Sequence, residues 1–138
     1  MKKVMCFGTF DLLHLGHLNY FEQAKKYGDY LIVVIARDKT KQNQKKDTLF
    51  NEEERQKLVA SLKIVDEAVL GYPENHFIII KEKKPDVLCL GYDHPINEIE
   101  LKKKLAQLGL YPDIKRIKAY RPEILKSSRI KEVILSQN

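Results

Sequence analysis

Residues 30–36 read Tyr-Leu-Ile-Val-Val-Ile-Ala, an almost wholly apolar run rich in β-branched side chains. A strand with one wet face alternates apolar and polar residues. An unbroken run of this kind therefore predicts a strand covered on both faces, as in a parallel sheet with helices above and below it. Shorter runs of the same character at 4–8 and 87–91, with weaker ones at 68–70 and 114–117, complete a set of five predicted strands.

Helical patterns separate these runs. Leu18, Phe21 and Ala24 recur at helical spacing over 18–27, before Gly28. Asn51 followed by Glu54 has the pattern of a capped helix start, with Leu58, Val59 and Leu62 as its apolar stripe. A further helix is expected over 97–108, closed by Gly109. At 77–80 three consecutive isoleucines favour a strand, whereas Asn75 and the lysines that follow favour a short helix, and we read the segment as helix. Residues 37–50 are polar and rich in Lys and Gln, the composition of a mobile loop. Ser127 or Ser128 could cap a closing helix.

Strands alternating with helices predict an α/β protein, a single doubly wound Rossmann-like domain over residues 1–138 with a five-stranded parallel sheet. Ligands of such sheets bind beyond the carboxyl ends of the strands. The segments expected to converge there are 9–17, 37–46, 91–94 and 120–129. At 138 residues and 43% hydrophobic content, the chain can bury a core without disulfide or metal staples. Cys6 and Cys89 each lie in an apolar run and read as buried reduced thiols without a chemical role. No apolar stretch approaches the ~20 residues of a membrane span, and the N-terminus lacks the pattern of a signal peptide, so a cytoplasmic protein without membrane association is expected.

The net charge of +6 is concentrated at the end: residues 101–138 hold 10 basic and 3 acidic groups, against 15 and 16 in residues 1–100. Such an end attracts polyanions. Without interleaved aromatics or a nucleic-acid motif, the expected partner is a triphosphate rather than nucleic acid.

The chemistry is concentrated in Gly8-Thr9-Phe10-Asp11-Leu12-Leu13-His14-Leu15-Gly16-His17, between the first strand and the first helix. Gly16 permits close approach of a phosphate, and the amides and dipole of the following helix favour an anion. His14 and His17, three apart, can address one phosphate, and Thr9 adds a hydroxyl. Donors held around a phosphorus while charge builds on its oxygens are what nucleotidyl transfer needs. Zinc would need more ligands than these two nitrogens, so no protein-bound metal is expected.

The segment Gly8-Thr9-Phe10-Asp11 followed by His14-x-Gly16-His17 resembles the signature of the HxGH nucleotidyltransferase superfamily, in particular its cytidylyltransferase-like branch. The likeness continues through Ala36-Arg37-Asp38, Arg55, Val65-Asp66, Leu90-Gly91-Tyr92-Asp93 and Ser127-Ser128-Arg129. It implies that Thr9, Phe10, His14 and His17 bind the triphosphate and transition state, and that Gly91 and Asp93 hold the nucleoside. Tyr120 would flank the base, and Ser127, Ser128 and Arg129 would meet the phosphates. A lysine from the 39–46 loop, Lys46 by preference, would reach the leaving pyrophosphate. Arg55 would reach an acceptor phosphate or else pair with Glu52 or Glu54. Mg²⁺ would arrive with the triphosphate, and a homodimer is implied.

Two branches of the family share features with this chain. Val33 to Asp38, Leu110-Tyr111-Pro112 and Tyr120 resemble archaeal FAD synthases, which transfer AMP from ATP to FMN. Ser127 to Lys131 is similar to the ending of glycerol-3-phosphate cytidylyltransferases, and the chain lacks the cysteine-bearing C-terminal segment associated with the FAD synthases. ATP and FMN are the expected substrates. Cytidylyl transfer to glycerol 3-phosphate or a sugar phosphate is the alternative, and a non-catalytic nucleotide-binding regulator is the alternative of another class.

Overall fold

The computed structural model describes residues 1–43 and 47–120. Five strands, β1 (Lys3–Gly8), β2 (Tyr30–Ile35), β3 (Glu67–Leu70), β4 (Val87–Leu90) and β5 (Asp113–Arg116), form one sheet in the order β3-β2-β1-β4-β5. Every pairing is parallel. The sheet is the doubly wound, Rossmann-like α/β arrangement expected from the runs of buried residues.

Side-chain alternation divides the core into two layers. Val4 and Cys6 of β1, Leu31, Val33 and Ile35 of β2, and Val87 and Cys89 of β4 face one side. They meet Phe21 and Ala24 of α1 (Leu15–Lys25) and Val59 of α3 (Glu52–Ala60). Met5, Ile32, Val34, Leu88 and Leu90 face the other side, against α4 (Phe77–Lys83) and α5 (Glu98–Gln107). The thiols of Cys6 and Cys89 are reduced, and burial raises the pKa of each, which keeps them protonated.

Helix starts follow local chemistry. Asn51 and Glu54 form a reciprocal capping box on α3, and the Asn97 side chain accepts hydrogen bonds from the amides of Ile99 and Glu100. Residues 77–83 are helical, with Asn75 accepting a bond from the Phe77 amide and Ile79 and Ile80 buried.

Two expectations need correction. Part of the polar segment read as a mobile loop is a short helix, α2 (Asp38–Asn43). It is held at its start by a reciprocal pair of bonds, Asp38 N–H to Glu52 Oε1 and Glu52 N–H to Asp38 Oδ2. The first helix also starts at Leu15, three residues before its apolar stripe, because His14 adopts extended backbone and caps it through Nδ1. Gly16 and His17 are thereby in its first turn. Among the described residues no helix is long and apolar enough to cross a membrane.

Candidate active site

The chain runs from β1 outward to β2 on one side and returns to β4 on the other, so the switch point of the sheet lies between β1 and β4. A crevice is expected at this position. The loops leaving β1 and β4 carry His14 and His17 on one, and Gly91 and Asp93 on the other.

The two histidine rings are stacked, with centroids 3.9 Å apart and planes inclined by 24°. His14 Nδ1 accepts the Gly16 amide at 3.0 Å, so the neutral ring carries its proton on Nε2. That Nε2 is buried and unpartnered among the described residues, as is Nδ1 of His17. The His17 ring bonds to the Leu12 backbone, which leaves its proton on Nε2 and a bare lone pair on Nδ1. Burial, and then the neighbouring His14, push His17 down to about 3, with the Leu12 bond opposing. Burial also lowers His14. Both rings are therefore neutral near pH 7; His14 Nε2–H could donate to a phosphate oxygen, and His17 Nδ1 could do so once it has gained a proton.

The loop is built to keep these rings in place. Phe10 is 5% exposed and has φ 54°, a left-handed conformation uncommon for a bulky residue and of the kind found where structure over-determines a site. Its ring lies edge-on to His17 at 5.2 Å and packs on Phe21 at 5.1 Å. It also covers Gly8, where a Cβ would come within 2.5 Å of Phe10 Cζ. Phe10 thus supports His17 from the core with a buried side chain. Asp11, 3% exposed, accepts the amides of Leu49 at 2.7 Å and Phe50 at 2.9 Å, tying this loop to the chain entering α3.

Arg55 also departs from expectation. It is fully buried, donates to the carbonyls of Thr9 at 2.9 Å and Phe50 at 3.1 Å, and pairs with Asp38 at 2.7 Å. The guanidinium lies beneath the histidine loop, bound to Asp38 rather than to Glu52 or Glu54, and it is not placed to receive an acceptor phosphate. Glu52 instead pairs with Arg37, whose Nε donates to the Gly71 carbonyl.

At the end of β4, Tyr20 donates its hydroxyl hydrogen to the Cys89 carbonyl at 3.0 Å. A Cβ on Gly91 would lie 3.4 Å from the Tyr20 ring and 3.6 Å from Asp93 Oδ1, ordinary contacts, and its φ is not left-handed. Packing therefore does not demand glycine here; its effect is open space between Tyr20 and Asp93. Tyr20 is also 6.4 Å from Phe10, so aromatic contacts run from the histidine pair to the β4 loop. Tyr120, just beyond β5, is 37% exposed. Lys46, Ser127, Ser128 and Arg129 lie outside the described residues.

The sequence reading missed Asp38 and Arg116 as builders of the site, and Asp11 as more than part of a motif. Arg116 donates to three carbonyls of the β4–α5 connection, those of Gly91, His94 and Ile96. The available signal was a charge in each case at the end of a predicted strand or in the strand-to-helix loop, but none of these charges names its partner.

The fold and the histidine loop at its switch point define an α/β nucleotidyltransferase. The cytidylyltransferase-like family model matches residues 5–133, and the chain belongs to that family. A FAD synthase of Picrophilus torridus is 45% identical over 133 residues, covering 96% of each chain. A FAD synthase of Ferroglobus placidus is 43% identical, over 99% of this chain and 90% of its own. Among solved structures, a lipopolysaccharide core biosynthesis protein from Thermoplasma volcanium superposes with a TM-score of 0.85 at 45% identity, covering 87% of this chain and 98% of its own.

Proposed function

We propose that the chain transfers AMP from ATP to the phosphate of FMN, forming FAD and releasing pyrophosphate. The observation that carries the transfer is the stacked, neutral histidine pair with two unpartnered buried nitrogens at the switch point. The choice of ATP and FMN is supported by the FAD synthases that match nearly the whole chain at 43–45% identity.

In this reading an FMN phosphate oxygen attacks the α-phosphorus in line. The new P–O bond forms as the bond from that phosphorus to the β-bridging oxygen breaks, and its electron pair leaves with pyrophosphate. His14 donates from Nε2 to a phosphate oxygen. His17 takes up a proton from solvent on Nδ1 as the nucleotide binds and donates it as a hydrogen bond to a phosphate oxygen, so both rings stabilise charge without forming a covalent intermediate. Thr9 adds its hydroxyl. Gly91 and Asp93 hold the nucleoside, with Tyr120 against the base. Lys46, Ser127, Ser128 and Arg129 complete the phosphate contacts.

Enzymes of this family generally use a divalent cation with the triphosphate, where it neutralises phosphate charge. No group of three or more His, Cys, Asp or Glu side chains suited to a metal is present among the described residues. The Asp11 and Asp38 carboxylates already accept protein donors. Mg²⁺ is assigned to the triphosphate. The chain is assigned to the cytoplasm as a homodimer.

Pyrophosphate release tests this reading, with ATP or CTP as donor and FMN, glycerol 3-phosphate or sugar phosphates as acceptors. Release requiring ATP and FMN is expected. Release requiring CTP would transfer the chain to the cytidylyltransferases, and ATP binding without turnover on any acceptor would favour a regulator. His17→Ala should lower turnover by about 10²-fold or more, with a smaller effect on triphosphate binding. Unchanged turnover in that variant would refute the mechanism.

A further inference from the structure

Arg116, the last residue of β5, commits all three guanidinium nitrogens to the connection after β4. Nη1 donates to the carbonyls of Gly91 at 2.9 Å and His94 at 2.8 Å. Nη2 donates to the Ile96 carbonyl at 3.1 Å, and Nε to Glu98 Oε1 at 3.0 Å. One side chain thus grips the beginning, middle and end of the segment from β4 into the first turn of α5.

We propose that Arg116 is a positioning residue for the nucleotide, fixing the 91–98 segment in the shape that receives the nucleoside while touching neither phosphates nor reacting atoms. The inference rests on the nucleoside reading of Gly91 and Asp93 given above. A base read by a loop needs that loop held still, because each group ordered only on binding subtracts from affinity. The 91–96 segment belongs to no helix or strand; within it the His94 amide donates to the Gly91 carbonyl at 3.1 Å and the Ile96 amide to His94 Nδ1 at 3.2 Å. The planar guanidinium supplies several donors in fixed directions and can bind three carbonyls and a carboxylate together, which a lysine ammonium cannot do in this geometry. Asn97 caps α5 between two of the gripped residues, so the segment is tied to the helix as well as to the sheet edge.

A purely structural arginine would weaken the fold without distinguishing between ligands. A positioning arginine separates the two ends of the nucleotide. Binding of α,β-methylene-ATP and of inorganic tripolyphosphate to wild type, R116Q and R116K would read this separation. In both variants the Kd for the ATP analogue should rise about 10-fold, with that for tripolyphosphate changing less than about 2-fold. The KM for ATP should rise about 10-fold, with kcat within about 3-fold. Amide exchange over 92–97 should quicken. Equal loss of both ligands, or loss of neither, overturns the proposal. If the Arg116 variants do not fold, Glu98→Gln, which removes the ion pair and spares the three carbonyl bonds, should show the same split at about 2- to 3-fold, and an unchanged affinity for the analogue would overturn it. Wild-type protein binding tripolyphosphate as tightly as the analogue would instead refute the nucleoside reading itself, and the inference with it.

Discussion

At the scale of single residues, His17 couples chemistry to pH. Its folded-state pKa of about 3 lies below the ordinary 6.5, so between those values the unfolded chain binds a proton that the folded chain lacks. The contribution to stability is complete above about pH 6.5 and is lost as pH falls toward about 3. His14 shifts in the same direction. Urea unfolding at pH 7 and pH 5 should therefore show lower stability at pH 5, with a smaller difference in His17→Gln; an equal difference in the two proteins would remove His17 as the cause. Burial keeps the same ring neutral, so that a proton on Nδ1 has to be gained as a phosphate binds. A phosphate at Nδ1 requires a proton there, so tripolyphosphate binding near pH 7 should take up protons from solvent. Calorimetry in two buffers of different ionisation heat would measure the uptake, and none would contradict the tautomers given above. The histidines themselves were legible because spacing, glycine and strand-to-helix context coincide in one short segment. The depth of their neutrality was not, since it arises from burial, to which the neighbouring His14 adds at His17.

Between elements, polar contacts register the loops against one another. Arg55 on α3 holds the Thr9 carbonyl and Asp38, and Asp11 holds the amides of Leu49 and Phe50, so α3 is tied to the ends of β1 and β2. Removing one member of a buried ion pair costs about 3–5 kcal/mol. The one-third exposure of Asp38 places Arg55→Met toward the lower figure. A loss of about 3 kcal/mol is expected in that variant, with reduced turnover because the Thr9 carbonyl loses its donor; unaltered stability would show that the network is dispensable. Sequence reading gave α3 well, because Asn51 and Glu54 carry their own capping instructions. It gave Arg55 the wrong partner and an unsuitable task, because the true partner, Asp38, lies 17 residues away. The start of α2 was hidden for the same reason: Glu52, which holds it, belongs to another helix.

Over the whole molecule, the buried runs at 30–36 and 87–91 were enough to imply a parallel sheet, and right-handed crossovers limited its winding. The actual strand order adds the neighbour relation of β1 and β4, which no local pattern encodes. If that junction binds a triphosphate, ligand should stabilise the entire fold by mass action. MgATP at about 100 times its Kd should contribute about 2.7 kcal/mol and raise Tm by roughly 10 °C, and the rise should largely disappear in His17→Ala; no rise in wild type would contradict nucleotide binding. The position of the strands has one more consequence. Among the described residues β1 has neighbours on both sides, whereas β5 ends the sheet with β4 alone beside it. Opening of native proteins commonly starts where few contacts must be broken. A molecule that frays at β5 would release Arg116 and slacken the base-reading end while its histidines stay on an intact floor, so loss of discrimination between bases would precede loss of grip on phosphate as the protein warms.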